Sequence, residues 1–255
     1  MEEKLVAFER LLNIMDDLRE KCPWDRKQTM ETLRNLSIEE IYELSDAILK
    51  NDLGGIKEEL GDIFLHLVFY AKIGEEKNAF NVADVLNSVC EKLIHRHPHI
   101  YGDVKADTEE EVLKNWEQLK LKEGKKSILE GVPDSLPAIN KAYRMQQKTA
   151  KVGFQWDKIE DVWEKVEEET QELKEAVSTN DKAKREEEFG DLMFALINYA
   201  RYLDIDPEAA LEKTNQKFKY RFEFIEEKAK EQGRELHNMT LSEMDTFWDM
   251  AKKDV

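Results

Sequence analysis

A chain of 255 residues with 37% charged and 41% hydrophobic residues has enough apolar material for one large helical domain or two modest ones. Its net charge of −17 excludes a broad basic face for a nucleic acid polymer. It does not exclude a small phosphate ligand, because a divalent cation held by acidic side chains reverses the local sign. Two cysteines, Cys22 and Cys90, are too few for a disulfide framework, and no apolar run is long enough to span a membrane. These features predict a soluble, cytoplasmic protein. Glu and Lys richness, with only ten Gly and five Pro, predicts an all-α fold.

Apolar residues spaced by three and four (Leu5, Phe8, Leu12, Met15, Leu18) predict a first helix. Helices follow over Ile38–Leu49 and Ile56–Ile73, and the Asn51–Gly55 stretch between them predicts an antiparallel hairpin. Two more are expected at Val82–Arg96, ended by Pro98, and at Glu109–Lys122. The segment Glu130–Pro137, with two Pro and a Gly, reads as a linker between domains 1–129 and 138–255. Beyond it, helices are predicted at Ala138–Ala150, Ile159–Val177, Ala183–Leu203, Pro207–Gln232 and Leu241–Lys253.

The second half repeats the first. Cys22-Pro23-Trp24-Asp25, then Glu39-Glu40-Ile41-Tyr42-Glu43, then Glu59-Leu60-Gly61-Asp62 is answered by Phe154-Gln155-Trp156-Asp157, Glu168-Glu169-Thr170-Gln171-Glu172 and Glu188-Phe189-Gly190-Asp191. Glu40 to Glu59 spans 19 positions, and so does Glu169 to Glu188. Lys92 and Arg96 are echoed by Lys217 and Arg221, and Trp116 by Trp248. Order, spacing and residue type together predict two tandem units.

On a helix, positions three and four apart share a face, so Glu169 with Glu172, and Glu188 with Asp191, each project together. A turn at Ser178–Asp181 brings the two pairs to one level. Glu40, Glu43, Glu59 and Asp62 should do the same in the first unit. Four such carboxylates repel one another unless a cation sits among them, and an all-oxygen donor set suits Mg²⁺, with Mn²⁺ able to stand in. A Glu-Glu-x-x-Glu pattern alone is commonly a solvated face. Gly61-Asp62 and Gly190-Asp191, each set in an apolar helix, predict a close approach of backbone or ligand there. The run His95-Arg96-His97-Pro98-His99 reads as helix capping in preference to zinc, and His66 as a core or interface residue.

Glu-Glu-x-x-Glu followed by Glu-x-x-Asp on a helix pair resembles the MazG family of nucleoside triphosphate pyrophosphohydrolases. Cys22–Asp25, Arg96–His99, Ser135–Ala138 and Val152–Phe154 extend the likeness over nearly the whole chain. The resemblance implies helical-bundle domains, an intertwined homodimer, Mg²⁺, and hydrolysis of an NTP or dNTP to the monophosphate and pyrophosphate. It implies that Glu169, Glu172, Glu188 and Asp191 hold metal and serve catalysis, while Lys184, Lys217 and Arg221 contact the triphosphate. Asn215 is a further candidate contact, and Trp248 either stacks on the base or caps a dimer core. Registering Asp62 on Asp191 puts Gly55 where Lys184 stands, so the second unit is the expected active site. The competing readings are a narrower enzyme acting on dUTP or a phosphoribosyl-ATP, and a helical regulator that binds nucleotide without turnover.

Overall fold

The computed structural model describes residues 1–106, 108, 111–112, 127–179 and 181–253. Its regular elements are all helical: α1 (Glu2–Lys21), α2 (Met30–Leu49), α3 (Leu53–Glu76), α4 (Val82–Arg96), α5 (Pro98–Tyr101), α6 (Ala138–Ala150), α7 (Ile159–Ser178), α8 (Lys182–Tyr202), α9 (Pro207–Glu231) and α10 (Leu241–Ala251). No strand occurs among the described residues. The chain divides into two compact units, Met1–Glu123 and Gly124–Val255. The helix expected at Glu109–Lys122, and Trp116 with it, falls almost wholly outside the described residues.

Helix starts follow side-chain capping more closely than hydrophobic pattern. α2 begins eight residues before the apolar stripe, because Thr29 and Thr32 form a reciprocal capping box. α3 likewise begins inside the expected turn: Asp52 accepts from the Gly54 and Gly55 amides, which places both glycines in the first turn of the helix. The turn itself is held by Asn51, whose φ of 55° is the left-handed conformation that Asn tolerates. Asp181 caps α8 in the same way, accepting from Ala183 and Lys184.

In unit 1, α2 and α3 form the expected hairpin and α1 packs on α3. Met15, Leu33, Val68, Phe69 and Ile73 make the core, each at most 4% exposed, with Leu11, Leu12 and Leu36 packed on it. Arg19 closes its edge, donating to both Glu76 oxygens while its guanidinium lies 5.3 Å from the Phe69 ring centroid. In unit 2, α7 and α8 form the corresponding hairpin, with α6 against α8, and α9 paired to α10. Val162, Val166, Ala195, Ile197, Ile225 and Ala229 are buried there.

The segment expected as a linker belongs to unit 2. Lys148, 7% exposed, donates to the Ile128 and Glu130 carbonyls at 3.2 Å, and Lys141 reaches the Asp134 carbonyl. No helix among the described residues is long and apolar enough to cross a membrane.

α10 depends on one charged cap. Glu243 accepts from the Thr240 amide and hydroxyl and from Arg234 at 2.9 Å. Arg234, with the Thr240 cap, pulls its carboxyl down to about 2. A folded-state value below the unfolded one contributes stability above the unfolded pKa and loses it as pH falls toward 2. Glu243→Gln should therefore lower the melting temperature of the protein at pH 7. The difference from wild type should shrink steadily in scans taken from pH 5 down to pH 2.

Candidate metal and phosphate site

The α7–α8 hairpin brings the predicted carboxylates together. Carboxylate oxygens of Glu169, Glu172 and Glu188 lie within 4.8 Å of one another. Glu40, Glu43 and Glu59 form the same triad on α2 and α3. Asp191 and Asp62, one turn along the second helix of each pair, stand just outside these triads. They are still close enough for Asp191 to raise the Glu188 carboxyl and Asp62 to raise that of Glu40.

The two triads differ in burial. Glu169 and Glu188 are 6% and 9% exposed, whereas Glu40, Glu43 and Glu59 are half-buried or exposed. One oxygen of Glu169 accepts from Lys165 at 2.6 Å. Its other oxygen, Oε2, is enclosed and has no hydrogen-bond partner. A buried, unpaired carboxylate oxygen is costly, and a cation among the three carboxylates relieves both that cost and their repulsion. Burial, then the Glu172 charge, pushes the Glu188 carboxyl above the ordinary range, with Lys184 opposing. In unit 1, burial followed by neighbouring carboxylates raises Glu40 and Glu59. The residues fit a hard divalent ion: all donors are carboxylate oxygens, and no His or Cys joins either triad.

The predicted phosphate contacts are placed less uniformly. Lys184 sits on α8 one turn before Glu188 and acts on its charge. Lys217 and Arg221 share a face of α9, one turn apart, and neither forms an ion pair with the triad. Arg221 lies 5.4 Å from the Trp248 ring centroid, and Phe218 meets the same ring edge-on at 5.3 Å. Trp248 thus ties α10 to α9. Asn215 donates to Glu212 at 3.2 Å.

Of the backbone or ligand approach expected at Gly61 and Gly190, the backbone alternative does not occur. A Cβ at Gly61 or Gly190 would meet nothing within 4 Å, so no backbone approaches either glycine; both face open space. At Gly55 a Cβ would lie 3.0 Å from the Asp52 carboxylate and 3.2 Å from the Ala47 Cβ, a snug fit at the start of α3, and the position carries no cation where unit 2 has Lys184. At the end of α4, the His97 ring nitrogen Nδ1 lies 2.6 Å from the Leu93 carbonyl, which fits the capping reading. His66 is half-buried, with Nδ1 unpartnered, and burial lowers its pKa.

Sequence reasoning missed Lys165, which neutralises Glu168 and Glu169 together. Its signal was available, since Lys165 stands one turn before Glu169 on the same face. Also missed was a cavity of about 420 Å³ beside the triad, lined in part by Glu169, Asp191, Gln146 and Asn198.

The model of the MazG nucleotide pyrophosphohydrolase domain matches this chain twice, over residues 28–101 and 158–224. The chain belongs to the MazG family. Both matches enclose one helix hairpin and its carboxylates. The protein is 44% identical to the nucleoside triphosphate pyrophosphohydrolase/pyrophosphatase MazG of Thermotoga maritima, over 99% of this chain and 98% of that one. It is 39% identical to the nucleoside triphosphate pyrophosphohydrolase of Escherichia coli K12, over 96% and 97%. A crystal structure of a mazG-related protein from Thermotoga maritima is 34% identical, covering 44% of this chain and 98% of that chain, with a TM-score of 0.40.

Because the Glu188 carboxyl is raised in the fold, its ionised form is held less well there than in the unfolded chain, and the fold gains stability as pH drops through that raised value. Glu188→Gln should raise the melting temperature of the EDTA-treated protein at pH 7, and the gain should vanish at pH 4. The same substitution should abolish the stabilisation that wild type shows when Mg²⁺ is added. Thermal melts by circular dichroism, with and without EDTA, check both.

Proposed function

We propose that this MazG-family protein hydrolyses nucleoside triphosphates or their deoxy forms to the monophosphate and pyrophosphate, using Mg²⁺ held in unit 2 by Glu169, Glu172, Glu188 and Asp191. The observation that carries this reading is the buried triad with an orphaned Glu169 oxygen, on the hairpin matched by the family model. Supporting it, the relatives that match over almost their full length are named for this activity. Mg²⁺, when bound, supplies positive charge that offsets the phosphate oxygens and the leaving pyrophosphate.

The reaction cleaves the α–β phosphoanhydride linkage, with water adding across it. The carboxylates fix the cation on the rigid faces of two helices, so the triphosphate is oriented before reaction. Lys184, at the start of α8, adds a compact positive charge beside Glu188. Lys217 and Arg221 can engage outer phosphate oxygens, Arg221 through its planar fork. Trp248, by holding Arg221 under its ring, sets the direction of that guanidinium.

Unit 1 keeps the triad but has Gly55 in place of Lys184, and its carboxylates are more exposed. Its reading is metal binding or assembly without rapid turnover. Assembly has its own support. Ile38, Ile41, Phe64 and Leu67 are each at least 40% exposed on α2 and α3, a density of large apolar side chains that a second copy of the chain would cover. We infer a homodimer on that basis.

Phosphorus NMR of the full chain with ATP and Mg²⁺ should show AMP and pyrophosphate, and no ADP. Glu169→Gln should slow pyrophosphate release about a hundredfold, as for loss of one electrostatic contact to a transition state, while Glu40→Gln leaves it close to wild type. Equal loss from both substitutions would place turnover in both units. Release of orthophosphate and ADP would rule out the proposed reaction.

A further inference from the structure

Glu169 is the most enclosed carboxylate of the unit 2 triad, and one of its oxygens is already committed. Lys165, one turn before it on α7, donates to Glu169 Oε1 at 2.6 Å and to Glu168 Oε1 at 3.0 Å. One ammonium is thus held between an exposed carboxylate and a buried one. Glu169 Oε2 is left as the oxygen without a partner.

A carboxylate bound in this way offers a metal ion one oxygen. Chelation through both would set a divalent ion on Oε1 as well, within about 5 Å of the Lys165 nitrogen. A double and a single positive charge at that separation repel, the more so beside a group only 6% exposed. The penalty falls unequally on different ions. Mg²⁺ and its stand-in Mn²⁺ take an octahedral set of single oxygens. Ca²⁺ fills a larger shell, of about six to eight oxygens, and draws on bidentate carboxylates to do so.

The duplicated unit lacks this clamp. In the register that places Glu40 on Glu169, Glu59 on Glu188 and Asp62 on Asp191, Glu168 falls on Glu39 but Lys165 falls on Leu36. Leu36 packs against the unit 1 core. The charged groups acting on Glu40 are all carboxylates, Asp62, Glu43, Glu39 and Glu59. Unit 1 folds the same hairpin with the same acidic positions, so the ammonium is an addition to the unit 2 site and not a requirement of the helix pair.

We propose that Lys165 is a positioning residue that limits Glu169 to one metal–oxygen bond, and so biases the unit 2 site toward Mg²⁺ and Mn²⁺ and against Ca²⁺. The inference rests on the reading of Glu169, Glu172 and Glu188 as metal ligands. Lys165 acts through Glu169 before any nucleotide arrives, as the partner of a metal ligand does when it fixes that ligand's orientation.

Titration calorimetry on the nucleotide-free full chain, with Mn²⁺ and Ca²⁺ added separately, tests this without turnover. A Glu40→Gln/Glu59→Gln background removes two of the three unit 1 ligands, so the heat reports on unit 2. That protein should bind Mn²⁺ more tightly than Ca²⁺. Adding Lys165→Met should lower the ratio of Mn²⁺ to Ca²⁺ affinity about tenfold, the low end of the loss for an orienting partner. Removing a positive charge raises affinity for both divalent ions alike, so that effect cancels from the ratio. Lys165→Leu, the unit 1 residue, is the second variant, with folding of both checked by circular dichroism. An unchanged ratio in a folded variant, loss of both ions together, or a starting preference for Ca²⁺ overturns the clamp while leaving the metal site standing. Failure of wild type to bind either ion, or binding that Glu169→Gln leaves intact, instead removes the metal site, and the clamp falls with it.

Discussion

Mutual repulsion among carboxylates crowded onto a helix hairpin is the constraint around which each unit is built. Helices α7 and α8 cannot bring Glu169, Glu172 and Glu188 within 4.8 Å, with two of them nearly buried, without a large electrostatic cost. The hairpin tolerates this because Val162, Val166, Ala195 and Ile197 are buried along the same pair of helices, and because Lys165 takes up part of the charge on Glu169. Hydrophobic burial thus offsets the repulsion among the carboxylates. Such an arrangement is preorganised for a cation: the ligands are already converged when it arrives, and little reorganisation accompanies binding.

The two units show how one scaffold is held at different levels of readiness. Their capping logic is the same, with Asp52 and Asp181 each accepting from the first amides of the second helix. Their interiors are not. Unit 1 closes its hairpin core with Phe69, and beside its carboxylates a pocket of about 580 Å³ has Gly55 in its wall and no lysine at that position. Unit 2 keeps Lys184 at that position, buries two of its three carboxylates, and has a cavity of about 420 Å³ that reaches Glu169 and Asp191. The units differ in the burial of their carboxylates and in the cation beside them.

Much of this was legible in the sequence because it rests on short-range periodicity. The i, i+3 spacing of Glu169 and Glu172, and of Glu188 and Asp191, follows from helix geometry alone, and the repeat fixed which residues to compare. The bodies of α4 and of α6 to α10 fall within a few residues of the pattern, whereas the short α5 starting at Pro98 was not foreseen. What the pattern could not give was decided by single side-chain contacts. α2 starts at Met30 because Thr29 and Thr32 cap each other, though the apolar stripe begins later. Gly61 and Gly190 read as positions approached by backbone or ligand, and the packing removes the backbone alternative, since both face open space. The cavity was invisible for a different reason. Gln146 and Phe194 are 48 positions apart, and only the packing of α6 on α8 brings that amide to the wall beside Glu169.

The central claim is that the unit 2 carboxylates hold a divalent cation. Anomalous diffraction from crystals grown with Mn²⁺ addresses it most directly, since each ion marks its own position. The account predicts an anomalous peak in contact with Glu169, Glu172 and Glu188, and none there in Glu169→Gln crystals. Ions found only elsewhere on this acidic surface, with those three side chains turned apart into solvent, would contradict it.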